Sequence, residues 1–228
     1  RYKKEKIMAG ISVVTEAVDD AVSFSETVEY LRLDEQVDTR VIKNLILAST
    51  NFVENYTGRA LVNRTLKMSI DSIDEYDIPL HEGLRTGPDL TLRKRYIELP
   101  RPPVVSVSSV KYYDDSDTES TFASSKYYVD TVREPARIIL RQGETFPTAL
   151  RVGNAVEVTY IAGYGATGAS VPEALRLAML QYITFNYEHR GELETGNPRL
   201  PQSLKNLLQP YRTTQFSNSY FGANGRYR

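Results

Sequence analysis

The 228-residue sequence contains no cysteine and no tryptophan, has only two histidines, and offers no apolar run near the roughly 20 residues of a membrane span. Without cysteine, disulfides, thiolate nucleophiles and thiolate metal sites are excluded, and folding in a reducing compartment is expected. Because 28 basic residues face 29 acidic ones, no global field attracts nucleic acid or a membrane. The basic N-terminal stretch also lacks the apolar run of a signal peptide. We therefore expect an ordinary soluble, cytosolic protein.

Motifs that carry chemistry are also scarce. His81 and His189 have no metal-ligand spacing, and the acidic residues within 114–119 lack the glycine and the closing glutamate of a calcium loop, so a solvated turn is expected. Residues 163–168, GYGATG, have neither the Walker lysine nor a βαβ context. We interpret them as a flexible hinge, with anion binding at the following helix start as the alternative. No nucleophile elbow G-x-S-x-G occurs.

Helical signals come first in the chain. Ser23 followed by Glu26 forms a capping box that starts a short helix whose inner face includes Val28 and Leu31. A second, amphipathic helix follows Asp38 and ends at a glycine, residue 58, which adopts a left-handed conformation without steric cost. Its predicted inner stripe consists of Val41, Leu45, Ala48, Phe52 and Tyr56.

Beyond residue 58 the apolar period changes from helical to twofold. Short runs rich in Val, Ile, Thr and Tyr, separated by turn clusters, predict the strands LKMSID, YIELP, VVSVSSVKYYD, KYYVD, ARIILR and AVEVTYIAG. In the last of these, Val156, Val158 and Tyr160 alternate with polar residues, as a half-buried strand requires. The three prolines of residues 100–103, PRPP, cannot donate ladder hydrogen bonds, so this run is expected to bend the chain between two strands or to mark an edge. The segment 77–95 is expected to be an exposed loop.

The helical period returns after Pro172, which suits a first helical turn. The broad apolar face of this helix needs a partner, and we expect the earlier helix pair to supply it. A shorter helix begins after Pro201 and is interrupted at Pro210. The predicted inner residues of the two helices are Leu175, Ala178, Met179, Tyr182, Ile183 and Phe185, and then Leu204, Leu207, Leu208 and Tyr211.

These elements predict an α+β protein, because a run of strands lies between runs of helices. We expect a helical bundle core of about four helices, a β-rich insertion between the second and third helices, and extended N- and C-terminal arms. The predicted boundaries are 1–22 for the N-terminal arm, 23–60 for the first half of the helical core, 61–165 for the β-rich insertion, 166–211 for the second half of the core, and 212–228 for the C-terminal arm.

The order of these motifs resembles the head-tail connector proteins of tailed double-stranded DNA bacteriophages. TGRAL after a helix, LPRPPV before a strand and AGYG before a helix that begins with proline carry the resemblance, which spans about Ser23 to Glu192. Connector proteins of this kind, called adaptors or head-completion proteins, form a ring beneath the portal. The stretch before residue 23 and the tail after Tyr211 lie outside the resemblance.

The resemblance implies a structural virion protein of the neck, assembled in the host cytoplasm, with no enzymatic activity and no cofactor or metal. It implies a homo-oligomeric ring, of twelve copies to match the portal, that contacts the portal protein and the next neck or tail-completion protein. Double-stranded DNA would pass through the lumen without sequence-specific binding. No membrane contact is implied.

The C-terminal arm has the composition of a segment that orders on a partner. It holds aromatic residues among Ser, Asn and Gly, and no acidic residue follows Glu194. We expect the arm to bind the portal, with plain solvation of its arginines as the alternative. The predicted contact residues are Tyr211, Arg212, Phe216, Tyr220, Phe221, Arg226, Tyr227 and Arg228. Two other function classes remain open: a ligand- or surface-binding module that uses the β insertion, and an enzyme whose site the sequence does not reveal.

Overall fold

A computed structural model describes residues 10–33, 38–71, 96–189 and 201–213 of the chain. The helices are Phe24–Leu31 (α1), Thr39–Thr57 (α2), Glu173–Glu188 (α3) and Gln202–Leu208 (α4). The strands are Gly10–Thr15 (β1), Arg64–Ile70 (β2), Tyr96–Glu98 (β3), Val104–Tyr113 (β4), Glu119–Thr121 (β5), Tyr127–Asp130 (β6), Arg137–Leu140 (β7) and Val156–Ala162 (β8). The protein is therefore mixed α+β, as the sequence predicts. In chain order, β2 to β8 lie between α2 and α3.

The chain divides into two compact units, each made of two separate stretches. Residues up to 20 and residues 60–171 form what we call the strand unit, and residues 21–59 together with those from 172 onward form the helical unit. Three parts of the chain lie outside the described residues: residues 1–9, the predicted loop 77–95 with His81, and the arm from residue 214.

The strand unit contains two antiparallel sheets. The larger has the strand order β1-β2-β8-β4-β5, and the smaller has the order β3-β7-β6. All six strands predicted from the sequence are confirmed. The strands β1 and β5 were not predicted, because every residue of β1 is exposed and the three residues of β5 are too few for a periodic pattern to be recognised.

Strand β8 is the centre of the larger sheet and shows the alternation expected from its sequence. Val156, Val158 and Tyr160 are buried at 0 to 1% exposure, whereas Glu157 and Thr159 are half-buried on the other face. The Tyr160 hydroxyl donates to the Pro100 carbonyl at 2.8 Å, so its buried polar atom is satisfied. Both sheets contribute side chains to one hydrophobic core, which includes Leu66, Met68, Ile97, Leu99, Val110, Phe122, Ile138 and Leu140.

The loop after β8 is held by backbone contacts rather than left as a loose hinge. The amide of Asn63 donates to Gly165 O and the amide of Tyr164 donates to Leu61 O, both at 2.9 Å. Gly163 has φ +145°, and a Cβ there would overlap the backbone of Asn63. The Gly168 amide donates to the Asp19 carboxylate at 3.0 Å, which occupies the donor that an anion would use. Gly163 thus permits a close backbone approach here.

In the helical unit, the first predicted helix start is confirmed in part. The Ser23 hydroxyl accepts from the Glu26 amide at 3.2 Å, as an N-cap does. The Glu26 carboxylate, which a reciprocal capping box would direct back to residue 23, accepts from Arg176 at 2.7 Å. An ion pair between α1 and α3 therefore takes the place of half of the box.

The predicted inner stripe of α2 is wrong by one position. The buried residues are Ile42, Ile46, Ser49, Val53, Glu54 and Thr57, whereas Val41, Leu45, Phe52 and Tyr56 are half-buried and Ala48 is exposed. The true stripe contains hydroxyl residues, and these bond locally: Ser49 donates to Ile46 O at 2.8 Å and Thr57 to Val53 O at 2.7 Å. A hydroxyl satisfied by its own helix can be buried at little cost.

Helices α3 and α4 complete the unit. Ile183 of α3 packs with Ile42 and Ile46 of α2, so the earlier helix pair is the partner that the apolar face of α3 was expected to need. In α3, Leu175, Ala178, Met179, Leu180 and Ile183 are buried, whereas Tyr182 and Phe185 are half-buried. In α4, Leu204 and Leu208 are buried, and Pro210 lies within a short 3-10 turn that continues the helix to Tyr211.

Candidate partner interface

Of the eight predicted contact residues, the structure describes Tyr211 and Arg212. Both lie where the chain leaves α4, and Tyr211 is half-buried while Arg212 is exposed. The other six, Phe216, Tyr220, Phe221, Arg226, Tyr227 and Arg228, lie outside the described residues. The structure therefore describes the base of the arm and two of the eight predicted contact residues.

The base of the arm is seated on the C-terminal end of α2. The Thr57 carbonyl, one of the last carbonyls of that helix, accepts from the Thr213 amide at 2.8 Å and from the Thr213 hydroxyl at 3.0 Å. A helix leaves its last carbonyls without intrahelical partners, and the incoming chain satisfies this one. Residue 213 thus replaces the water or side chain that would otherwise cap α2.

Gly58 makes this seat possible. It adopts φ +73° and ends α2, with its amide donating to Glu54 O at 2.9 Å, as the sequence predicts. A Cβ on this residue would overlap the hydroxyl oxygen of Thr213. The glycine is therefore needed both for the left-handed turn and for the close approach of the arm.

Side chains from α2 and its C-terminal loop hold the arm base at two further points. Arg59 Nε donates to the Tyr211 carbonyl at 2.6 Å. The Arg212 guanidinium lies over the Tyr56 ring, 5.7 Å from its centroid, within the usual range of a cation-π contact. Since Arg212 is exposed, its contact orients the chain more than it stabilises the fold.

An aromatic column continues from the arm base along α2 toward α3. Tyr56 and Phe52 have ring centroids 6.0 Å apart, and Phe52 stacks on Tyr182 at 4.6 Å. These rings are half-buried. Phe52 and Tyr56 belong to the stripe that the sequence predicts as the inner face of α2, and with Tyr182 of α3 they provide apolar surface beside the point where the arm departs.

Sequence reasoning did not find Arg59 or Thr213 as arm contacts. More than 150 residues separate them from their partners, and neither the residue type nor its spacing carries a signal for such a pairing. The one available signal was TG at positions 57–58, read as a helix end. What the arrangement does chemically is to fix the direction and position from which residues 214–228 start.

Other candidate sites in the described residues have structural explanations. Asp114 Oδ1 accepts from the amides of Ser116 and Thr118 at 2.9 and 2.8 Å, so the acidic cluster is the predicted polar turn. His189 Nδ1 lies 2.7 Å from the Phe185 carbonyl, and its ring stacks on that of Phe185. Among the residues that the structure describes, no three His, Asp or Glu side chains are grouped as a metal site would need.

The polar face of the larger sheet carries paired charges. Lys67 of β2 lies 3.3 Å from Glu157 of β8, and Lys111 of β4 lies 2.6 Å from Glu119 of β5. The hydrogen bond from the Lys111 ammonium holds the pKa of the Glu119 carboxyl below its usual value, and the Tyr113 hydroxyl acts in the same direction. As far as the described strands show, the charges of this face are therefore largely neutralised by one another and form no basic track for a phosphate backbone.

No helix in the described part of the chain is both long enough and apolar enough to cross a membrane.

The chain is similar in fold to proteins of gene transfer agent (GTA) particles. A chain of "Neck of empty GTA particle computed with C6 symmetry" superposes with a TM-score of 0.69 at 20% identity, covering 96% of this chain and 100% of that one. A chain of "Virion of native gene transfer agent (GTA) particle" gives 0.69 at 19% identity, covering 95% and 99%. A chain of "Neck of native GTA particle computed with C12 symmetry" gives 0.63 at 21% identity, covering 96% and 100%. No family model and no curated protein matches the sequence.

Proposed function

We propose that this protein is a structural component of a phage-like virion neck, a head-tail adaptor that forms a ring below the portal. The observation that carries the proposal is the fold match along whole chains: 96% of this chain against 100% of a neck protein, at a TM-score of 0.69. Similarity at this level of identity concerns the fold, and the role follows as an inference from it. In this proposal the helical unit is the core of the protomer, and the strands between α2 and α3 are its insertion.

The proposed ring has twelve copies, assembles in the host cytoplasm, and joins the portal on one side to the next neck or tail-completion protein on the other. Neck assemblies with C6 and C12 symmetry contain the matched chains, which supports closure by rotation. A net charge of −1 and the paired charges of the sheet suit a channel through which DNA passes without being gripped.

The C-terminal arm is the proposed portal contact. Its base is fixed by Thr213 and Arg59, so every copy in a ring would present residues 214–228 from an equivalent position. Ordering such an arm costs roughly 1 to 2 kcal/mol per residue in backbone entropy, so one arm alone binds weakly. Closure into a ring raises the effective concentration of the remaining arms once one has bound.

The test is to mix the purified chain with the dodecameric portal protein of the same particle and to measure complex formation by light scattering and negative-stain microscopy. We expect a stoichiometric ring on the portal. Removal of residues 214–228, which leaves Thr213 in place, should weaken binding by at least about a hundredfold, because the avidity of all arms is lost at once.

A length-matched control separates arm chemistry from chain length. In this variant Phe216, Tyr220, Phe221 and Tyr227 become serine while the arginines stay. We expect it to bind almost as weakly as the truncated chain, since the aromatic anchors supply most of the contact energy. Unchanged portal binding by the truncated chain would refute the arm's role, and the absence of any portal complex with the intact chain would refute the adaptor function itself.

A further inference from the structure

The apolar face of the larger sheet continues onto β1, where the described residues leave it partly exposed. Paired residues of antiparallel strands lie on the same face, so the register aligns two apolar rows across four strands. Within these rows, the residues on β2 and β8 are at most 3% exposed, whereas Ile11 and Val13 on β1 are 43 and 44% exposed. The rows are Ile11, Met68, Val158 and Val110, and Val13, Leu66, Tyr160 and Val107.

Strand β1 is also an open sheet edge. It pairs with β2 on one side and, among the described strands, with none on the other. Its sequence, GISVVT, has no charge and no proline, and its extra residue, Val14, lies beyond the regular stretch Gly10–Val13. Soluble proteins usually protect such an edge with charges, proline, a bulge in mid-strand or a cover. This edge therefore has the features of a strand that pairs with another chain.

The opposite side of the same sheet has a second open edge. β5 covers β4 at Lys111–Tyr113, whereas the stretch Val104–Ser109 bonds no outer strand among the described residues. That stretch, VVSVSS, is uncharged as well, and Val105 is 51% exposed. Its register with β8 shifts between Val104 and Ser106 and again between Val107 and Ser109, so this edge is bulged at Val105 and Ser108. The sheet thus carries two uncharged edges of six residues each, one on either side, and no outer strand among the described residues pairs with either.

We infer that β1 of one copy pairs with the Val104–Ser109 edge of β4 of the next copy, which makes this pair of edges the subunit interface of the ring. The inference rests on the proposed function, because a ring requires two different complementary surfaces on each copy. Each of the steps β1 to β2, β2 to β8 and β8 to β4 is antiparallel, so β1 and β4 of one copy run in opposite directions. A neighbour placed in the same orientation therefore continues the antiparallel sheet.

Charges at the ends of the two edges agree with this pairing. Antiparallel alignment brings the end of β1 next to the start of β4. Glu16, whose side chain is 75% exposed and lies 3.8 Å from Arg64 of its own chain, would then also lie toward Arg101 of the neighbouring copy. Pairing of β1 with β1 of a second copy would instead satisfy both edges within a dimer and leave the β4 edges open.

Assembly of edge variants tests the interface. In Val13→Lys and Val105→Lys a lysine is placed on each edge, and Val132→Lys is the matched control, because Val132 is 97% exposed in the turn between β6 and β7. We expect each edge variant to raise the concentration needed for half-maximal ring formation on the portal by at least about tenfold, since an ammonium would be buried without a partner. The control should assemble as the parent chain does.

Cross-linking tests the same contact between β1 and the β4 edge without placing a charge in it. The chain has no cysteine, so Val13→Cys and Val105→Cys can be prepared singly, mixed, assembled and treated with a short bismaleimide. We expect cross-linked dimers that contain one of each variant, and none when Val132→Cys replaces Val105→Cys. Rings that form without the mixed cross-link, or cross-links between two Val13→Cys chains, would overturn the inference and leave the adaptor function standing. The absence of rings even with portal would overturn both.

Discussion

The seat of the arm on α2 predicts a specific energetic coupling between Gly58 and Thr213. In Gly58→Ala the new Cβ must adopt φ +73°, which costs about 1 kcal/mol for a residue other than glycine. The same Cβ overlaps the Thr213 hydroxyl, which must move and give up its bond to Thr57 O, at a further cost of about 1 kcal/mol. We therefore expect Gly58→Ala to lower the free energy of unfolding by about 2 kcal/mol.

A double-mutant cycle isolates the contact from the backbone cost. Thr213→Ala alone removes one hydrogen bond and should cost about 1 kcal/mol. With that hydroxyl already gone, Gly58→Ala should cost only its backbone term, so the double variant should lose about 2 rather than about 3 kcal/mol, a coupling of about 1 kcal/mol.

The assay is urea unfolding followed by circular dichroism at 222 nm, because the described helices all belong to the helical unit. Gly153→Ala is the control, since a Cβ there meets nothing within 4 Å and no left-handed φ is involved. If Gly58→Ala costs the same with and without the Thr213 hydroxyl, that hydroxyl does not contact the end of α2, and its part in seating the arm base is refuted.

Two further predictions concern the strand unit. Tyr160→Phe removes the bond to Pro100 O and should cost about 1 kcal/mol at neutral pH. Burial raises the pKa of Tyr160, so the parent chain should lose stability above about pH 10, where the unfolded phenol ionises, and the Phe variant should lose less; equal loss would contradict this. For Asp130, the bond from Arg137 at 3.0 Å holds the pKa below its ordinary value. The stability that Asp130 contributes is therefore complete above about pH 4 and is lost as the pH falls through its lowered folded pKa, so Asp130→Asn should flatten the acid limb of the stability curve.

Local sequence rules predicted those parts of the fold whose determinants are local. Ser23 could be identified as a cap because its hydroxyl and the Glu26 amide are three residues apart. Strand β8 could be predicted from the alternation of Val156, Val158 and Tyr160 with polar residues. It pairs with β2 and β4, and one face of the strand is buried along its whole length. Gly58 was recognised as a helix end for the same reason.

The local rules failed where the burial of a residue depends on elements that are far away in the sequence. Helix α2 carries two adjacent stripes, and the more apolar one, with Phe52 and Tyr56, is the less buried. The choice between them depends on where Ile183 of α3 lies, which no window on α2 contains. A hydrophobicity pattern also treats Ser49 and Thr57 as polar positions, although the hydroxyl of each donates to a backbone carbonyl of its own helix and can therefore be buried.

The candidate interface shows the same division between local and distant signals. The aromatic and arginine content of residues 213–228 is visible in the sequence and suggests a partner. The contacts of Arg59 and Thr213, which bring the arm base to α2, arise only from folding across more than 150 residues. The open edge of β1 is hidden for the opposite reason, because an exposed strand without charge has no periodic burial to detect.

The seated arm base and the open sheet edges act on different terms of the same assembly. In the proposed ring, the edges would set how strongly neighbouring copies associate, whereas the seat of Thr213 would set how far each arm can range from its own protomer. Effective concentration falls as a tether lengthens. Release of the arm from α2 would therefore lower the effective concentration of its aromatic residues at the portal, even in an intact ring. Gly58→Ala should therefore weaken portal binding without changing the cross-link between Val13→Cys and Val105→Cys, and an edge lysine should have its first effect on ring closure.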